Sequence, residues 1–202
     1  MVDVAHEQLA LMVMDMQVDF CSPDGVFGRH GFDTRGAFEL VPRIAQLMGV
    51  CRSHSIPIVA TLHTVRTGQD GRAVGVNVAA SRQFLATEGF RDGSPGQALV
   101  PELPTVDYVV KKWGPSTMYQ TDVERVLRWV GATTIVFVGV ATSGAVEATA
   151  RQAVARGFGV VVVEDCVAAY EKELHEAALR LLRSFAEVCS AKELITAINR
   201  QD

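Results

Sequence analysis

Thr134-Ile-Val-Phe-Val-Gly-Val-Ala-Thr-Ser-Gly-Ala-Val-Glu-Ala-Thr-Ala150 reads as a buried strand, a tight Gly/Ser turn and the start of a helix. The run 134–140 is apolar with little polar alternation, as expected of a strand covered on both faces. A helix start leaves backbone N–H groups without intrahelical acceptors. Such a turn therefore suits a thiolate, an alkoxide or a developing oxyanion. Residue 145, at the seat of a nucleophile, is alanine, which can form no bond to a substrate. The spacing Gly139-x-x-x-x-Gly144 lacks a following Lys-Ser/Thr, so a phosphate-binding loop is excluded.

Outward from this stretch, short apolar runs alternate with longer segments of helical period, the signature of βαβ units in a parallel sheet. Strands are predicted over 9–14, 57–62, 108–111, 134–140, 159–164 and 186–189. Helices are predicted over 38–54, 121–130, 144–156, 173–184 and 191–199. Leu40, Ile44, Leu47, Met48 and Cys51 share one helical face, as do Val123, Val126, Leu127 and Val130. The segment 66–104, rich in Gly, Ala and polar residues, is expected to be a long excursion with a short helix near 79–86. The expected fold is an α/β, doubly wound, mostly parallel six-stranded sheet with helices on both faces, in a single domain spanning 1–202.

The chain's 202 residues are 49% hydrophobic and carry a formal charge of −4. That is enough for a sizeable core, with no basic stripe to hold a phosphate backbone. Nucleic acid is excluded as a partner on this ground. No apolar run approaches the roughly 20 residues a bilayer span needs, and the start is polar, so no membrane partner and a cytoplasmic location are expected. Cys21, Cys51, Cys166 and Cys189 stand far apart without metal-ligand spacing and read as reduced, buried thiols.

Ligands of open parallel sheets bind beyond the carboxyl ends of the strands. The first strand ends in Met14-Asp15 and the third in Lys111-Lys112-Trp113. An aspartate at the end of a buried strand must either face a cation or hold a shifted pKa, and Lys112 is the natural cation. Each residue alone also reads as an ordinary strand end or turn; together, beside the turn at Ala145, they form a candidate catalytic group.

Asp15-Met-Gln-Val-Asp-Phe20, Lys112-Trp-Gly-Pro-Ser116 and Gly139-Val-Ala-Thr-Ser-Gly144, followed by Val146-Glu-Ala-Thr-Ala-Arg151, resemble the isochorismatase-like cysteine hydrolases in order and spacing. That family includes nicotinamidases, N-carbamoylsarcosine amidases, and ureidoacrylate, biuret and streptothricin hydrolases. The likeness runs from Leu9 to Ile198 and takes in Val161-Val-Val-Glu-Asp165 and Phe185-Ala-Glu-Val-Cys189. The resemblance implies a triad of Asp15, Lys112 and a cysteine at position 145, acting on an amide, ureide or lactam. Lys112 is preferred over Lys111 because its distance to Ser116 fits the family pattern. The resemblance also implies oxyanion donors at the Ala141 and Ala145 N–H groups, a cis bond between Val140 and Ala141, and a homodimer or homotetramer.

The departure from the pattern is Ala145 itself, and three accounts of it compete. One is a substitution that removed the thiol and left the rest of the site, so that the chain as written is inactive. Another is a cysteine-independent vinyl-ether hydrolase using Asp15 as general acid, although its expected Ala-His is Ala141-Thr142-Ser143 here. The last is a non-catalytic binding or scaffold relative. Cys166, just after the predicted fifth strand, is weighed as a substitute nucleophile and reads as a buried thiol. Thr61-Leu-His63-Thr-Val-Arg66 lacks the second histidine of the family's metal-binding members, so no metal and no other cofactor are expected. Arg66 is a candidate for a substrate carboxylate or carbonyl. His63, Phe20, Trp113 and Tyr119 complete the candidate substrate-binding set, and Gln17 reads as structural.

Overall fold

The computed structural model describes residues 8–74 and 80–200. Six strands form one parallel sheet: β1 (Leu9–Met14), β2 (Ile58–His63), β3 (Tyr108–Lys112), β4 (Thr134–Val140), β5 (Gly159–Ala168) and β6 (Glu187–Cys189). Their order is β3-β2-β1-β4-β5-β6. The direction of winding reverses between β1 and β4, so the crevice at the carboxyl ends of these two strands is the ligand position of such a sheet.

Helices α1 (Val18–Cys21), α2 (Val26–Arg29), α3 (Arg35–Glu39), α4 (Val41–Ser53), α5 (Val123–Trp129), α6 (Glu147–Ala155), α7 (Lys172–Leu182) and α8 (Ala191–Ile198) accompany the sheet. Alternate residues of β1 enter different cores, because successive side chains of a strand point to opposite faces. Leu9, Leu11 and Val13 pack with Ile44, Leu47 and Met48 of α4 and Leu194 and Ile198 of α8. Ala10, Met12 and Met14 pack with Val123 and Leu127 of α5, Ala150 and Ala153 of α6, and Leu179 and Leu182 of α7. Among the described residues, no helix is long and apolar enough to cross a membrane.

The helix predicted over 38–54 is two helices. Pro42 lies in the first turn of α4, where a missing N–H costs nothing and φ is already set. Strand β5 runs past its predicted end at Glu164, and its register against β4 slips between Phe137 and Gly139. Cys166, expected just after this strand, therefore lies inside it and is fully buried. The helix expected near 79–86 is a 3-10 segment, Ala80–Ala86, and its expected first residue lies outside the described residues.

Gly139 has φ +105 and faces β1 so closely that a Cβ would stand 2.2 Å from the Met14 carbonyl oxygen. Only glycine fits there. Gly139→Ala is expected to cost about 3 kcal/mol or more of stability, through a disfavoured backbone region plus overlap with main chain. The measurement is the midpoint of urea unfolding.

The excursion is anchored by buried polar groups of the segment after β1. The Asp19 carboxylate accepts from the N–H of Val26 (3.0 Å) and of Phe90 (2.7 Å). The Gln17 amide donates to the carbonyls of His63 (3.0 Å) and Gln97 (2.8 Å), and Gln97 in turn donates to Thr64 Oγ1 (2.6 Å). Above these bonds, Val26, Phe27, Val65, Leu85 and Phe90 form a third, smaller core, with Phe20, Phe32, Phe84 and Tyr170 packed around it.

Candidate active site

Asp15 is the first residue beyond β1 and takes φ +49, a left-handed conformation that aspartate tolerates better than most residues. Its N–H donates to Thr61 Oγ1 (3.0 Å), and the Thr61 hydroxyl donates back to Oδ1 (2.6 Å). Oδ2 lies 2.8 Å from Lys112 Nζ, with both side chains only 2% exposed. Lys112 also donates to the carbonyls of Gly114 (3.0 Å) and Pro115 (3.1 Å). Burial pushes the Asp15 carboxyl above its ordinary range, against the pull of the Lys112 charge and the bonds from Lys112 and Thr61. Lys111 turns outward and bonds Asp92 at 2.6 Å. The β-strand alternation thus sends two neighbouring lysines to opposite fates.

Across the switch point, the Val140–Ala141 peptide is cis, and residues Thr142–Val146 form a wide π-type turn leading into α6. The Ala141 carbonyl accepts from the N–H of both Gly144 (2.9 Å) and Val146 (3.2 Å). Among the described residues, neither the Ala141 nor the Ala145 N–H donates to an acceptor outside the turn itself. Ala145 is 8% exposed. One helical turn on, Thr149 Oγ1 accepts from the Thr117 N–H (3.0 Å), tying the loop that carries Lys112 to the helix that begins at position 145. Thr142 Oγ1 shares a hydrogen bond with His175 Nδ1 of α7 (2.9 Å), holding the turn from outside the sheet.

Every cysteine is buried, and burial pushes all four thiols up to about 12. Cys21 is also raised by the Asp15 charge. None is a thiolate near neutrality, so neither Cys166 nor Cys21 can stand in for a nucleophile at position 145.

His63 faces Lys112 in the β2–β3 register, and its ring lies 5.9 Å from that of Phe20 and 5.2 Å from that of Phe90. Burial and the Lys112 and Arg82 charges lower its pKa from 6.5 to about 3, so it stays neutral. In the window from 6.5 to about 3 the unfolded chain binds the proton that folded His63 refuses. Stability from this residue is therefore present above 6.5 and lost as pH falls. Near the middle of the window the slope is about 1.4 kcal/mol per pH unit. His63→Gln is expected to remove about that slope from stability curves measured between neutral and acid pH.

Arg66 is exposed and stacks its guanidinium 3.7 Å over the Trp113 ring. Phe20 packs into the aromatic core, 4.8 Å from Phe27 and 4.2 Å from Phe90, and helps to seat the excursion. Tyr119 is 57% exposed. Sequence reasoning did not find Thr61, Asp19 or Tyr170, whose hydroxyl donates to the Phe20 carbonyl at 3.2 Å. An acid between the apolar Val18 and Phe20 was the available signal for Asp19; Thr61 and Tyr170 had none. Among the described residues, no cluster of three or more His, Cys, Asp or Glu side chains could hold a metal ion.

Residues 9–193 match the family model described as the isochorismatase domain. The chain is 33% identical over 191 residues to the ureidoacrylate amidohydrolase RutB of Methylobacterium radiotolerans, covering 87% of this chain and 73% of that protein. It is 27% identical over 170 residues to nicotinamidase 3 of Arabidopsis thaliana, covering 84% and 78%. A cysteine hydrolase from Pseudomonas syringae superposes with a TM-score of 0.83 over 98% of this chain and 96% of its own, at 23% identity, a likeness of fold. Sheet order, the segments at the carboxyl ends of its strands and the matched span agree: the chain belongs to the isochorismatase family.

Proposed function

We propose that this site is that of a cysteine amidohydrolase cutting the C–N bond of a small amide, ureide or lactam, with the thiol position occupied by Ala145. The observation that carries the reading is the buried Asp15–Lys112 pair at the same end of the sheet as a turn whose Ala141 and Ala145 N–H groups donate to no acceptor outside it. The similarity to an amidohydrolase and a nicotinamidase supports the same bond class.

With a thiol at position 145, Asp15 would take its proton while Lys112 holds the resulting charge near neutral balance. The sulfur attacks the carbonyl carbon, and the oxyanion receives the Ala141 and Ala145 N–H groups. The C–N bond breaks, the proton passes from Asp15 to the leaving nitrogen, and water then hydrolyses the thioester and restores the thiol. As it stands, the chain can bind but cannot make the first bond.

Burial of Asp15 favours its protonated form, which supports a second reading, protonation of a vinyl ether by Asp15 without any thiol. Turnover separates the two. Ala145→Cys releasing ammonia or amine from an amide and ureide panel supports the amidohydrolase. A folded Ala145→Cys variant that is silent on the panel, with the Ala145 chain consuming a vinyl ether, overturns it.

A further inference from the structure

The turn Thr142–Val146 opens from Ala141 and carries position 145, so whatever fixes its width also aims the two N–H groups assigned to the oxyanion. Turns of this width are rare and recur at functional sites. From inside, the Ala141 carbonyl serves the N–H of Gly144 (2.9 Å) and of Val146 (3.2 Å). From outside, a single side chain hydrogen-bonds to the turn among the described residues. It is His175 of α7, whose Nδ1 lies 2.9 Å from Thr142 Oγ1.

The fold carries this ring to Thr142. Ala178, Leu179 and Leu182 are the buried side of α7, and His175 stands one turn before Ala178 and Leu179 on that side. Leu179 and Leu182 share a core with Ala145 and Val146, so the helix that bears His175 is itself packed with the turn. Thr142 is fully buried and His175 partly so. Burial lowers the His175 pKa below its ordinary 6.5, against the pull of the Glu176 and Glu164 charges. Both acids have cations of their own, Glu176 facing Lys172 at 3.8 Å and Glu164 held by Arg183. The ring is therefore neutral near pH 7 and can leave Nδ1 as an acceptor. The buried Thr142 hydroxyl has no other acceptor among the described residues, so the assignment that satisfies its proton is Thr142 donating and Nδ1 accepting.

We infer that His175 is a positioning residue, which by accepting from Thr142 holds the turn at the width where the Ala141 and Ala145 N–H groups converge on the substrate oxyanion. This rests on the amidohydrolase reading above and adds to it a residue that acts on the reacting atoms only through the turn.

The test turns on which ring nitrogen matters. His175→Asn can place an amide oxygen near the Nδ1 position, His175→Gln near the Nε2 position, and His175→Ala near neither. In the Ala145 chain, hydrogen exchange of the Gly144 and Val146 N–H groups is expected to quicken about tenfold in His175→Ala and in Thr142→Val. It should return toward the parent rate in His175→Asn and stay fast in His175→Gln. In the Ala145→Cys background the same order is expected in kcat for an amide or ureide. The loss should be about tenfold or more with KM moved by less than about twofold, since oxyanion donors act on the transition state more than on bound substrate. Exchange unmoved by His175→Ala, His175→Gln recovering as fully as His175→Asn, or a loss carried wholly by KM overturns the inference. The hydrolase reading fails separately. The expected exchange pattern with Ala145→Cys silent on every amide and ureide keeps His175 as the anchor of the turn and removes the chemistry. An active Ala145→Cys chain whose kcat ignores all the His175 variants keeps the chemistry and removes His175.

Discussion

Ala145→Cys is expected to raise the rate of amide or ureide hydrolysis by at least about ten-thousandfold over the chain as it stands, because deletion of a nucleophile costs enzymes of covalent mechanism factors of this size or larger. Ala145 is nearly buried, the Ala141 and Ala145 N–H groups donate to no acceptor outside the turn, and the Asp15 carboxylate is already fixed by Thr61 and Lys112. Because burial raises the Asp15 pKa, the rate should climb with pH until that carboxyl is ionised. Intact-mass spectrometry on a quenched reaction should show the chain heavier by the acyl group. An active Ala145 chain, or a Cys variant whose activity survives Asp15→Asn, would remove this account.

Lys112→Met should abolish that recovered activity and destabilise the fold by about 3–5 kcal/mol at neutral pH, the cost of leaving one member of a buried ion pair uncompensated. The direction with pH follows from Asp15. Its folded pKa is raised, so the stability it contributes is full below its ordinary 3.8 and lost as pH rises through the folded value. Without Lys112 the folded pKa rises further and the loss extends over a wider pH range, since the protonated acid needs no counterion and the ionised acid does. The stability gap between the parent and Lys112→Met should therefore narrow on acidification. Asp15→Asn/Lys112→Met should regain most of the lost stability and none of the activity. Urea midpoints for the parent, Asp15→Asn, Lys112→Met and the double variant at two pH values close this cycle; a gap that is constant with pH would show that Lys112 acts through packing alone.

The strands were legible because burial on both faces writes them as unbroken apolar runs, as in Leu9–Met14 and Thr134–Val140. Choosing Lys112 over Lys111 needed a spacing, since composition treats the two alike. The four-residue helices α1 and α2 were not legible, because one turn is too short to show a period. Nor was the aromatic core, whose members Phe20, Phe27, Phe32, Phe84, Phe90 and Tyr170 are scattered over 150 positions of the chain and meet only in three dimensions. The extent of β5 was hidden by Glu164 and Asp165, charged residues at a register slip that read as a strand end. Thr61 looked like any β-branched strand residue until Asp15 was found folded back onto it.

The third core has a consequence for how such a protein can change. Asp15, Lys112 and the turn at Ala145 are cast into the sheet and its two large cores. His63 and Arg82 meet a separate raft of aromatic rings, moored to the sheet by Asp19, Gln17 and Gln97. On the proposed function, exchanging residues of the raft would alter what the crevice admits while leaving Asp15, Lys112 and the turn in place. Substrate preference and bond chemistry would then be separable in inheritance, the one carried by the raft and the other by the sheet.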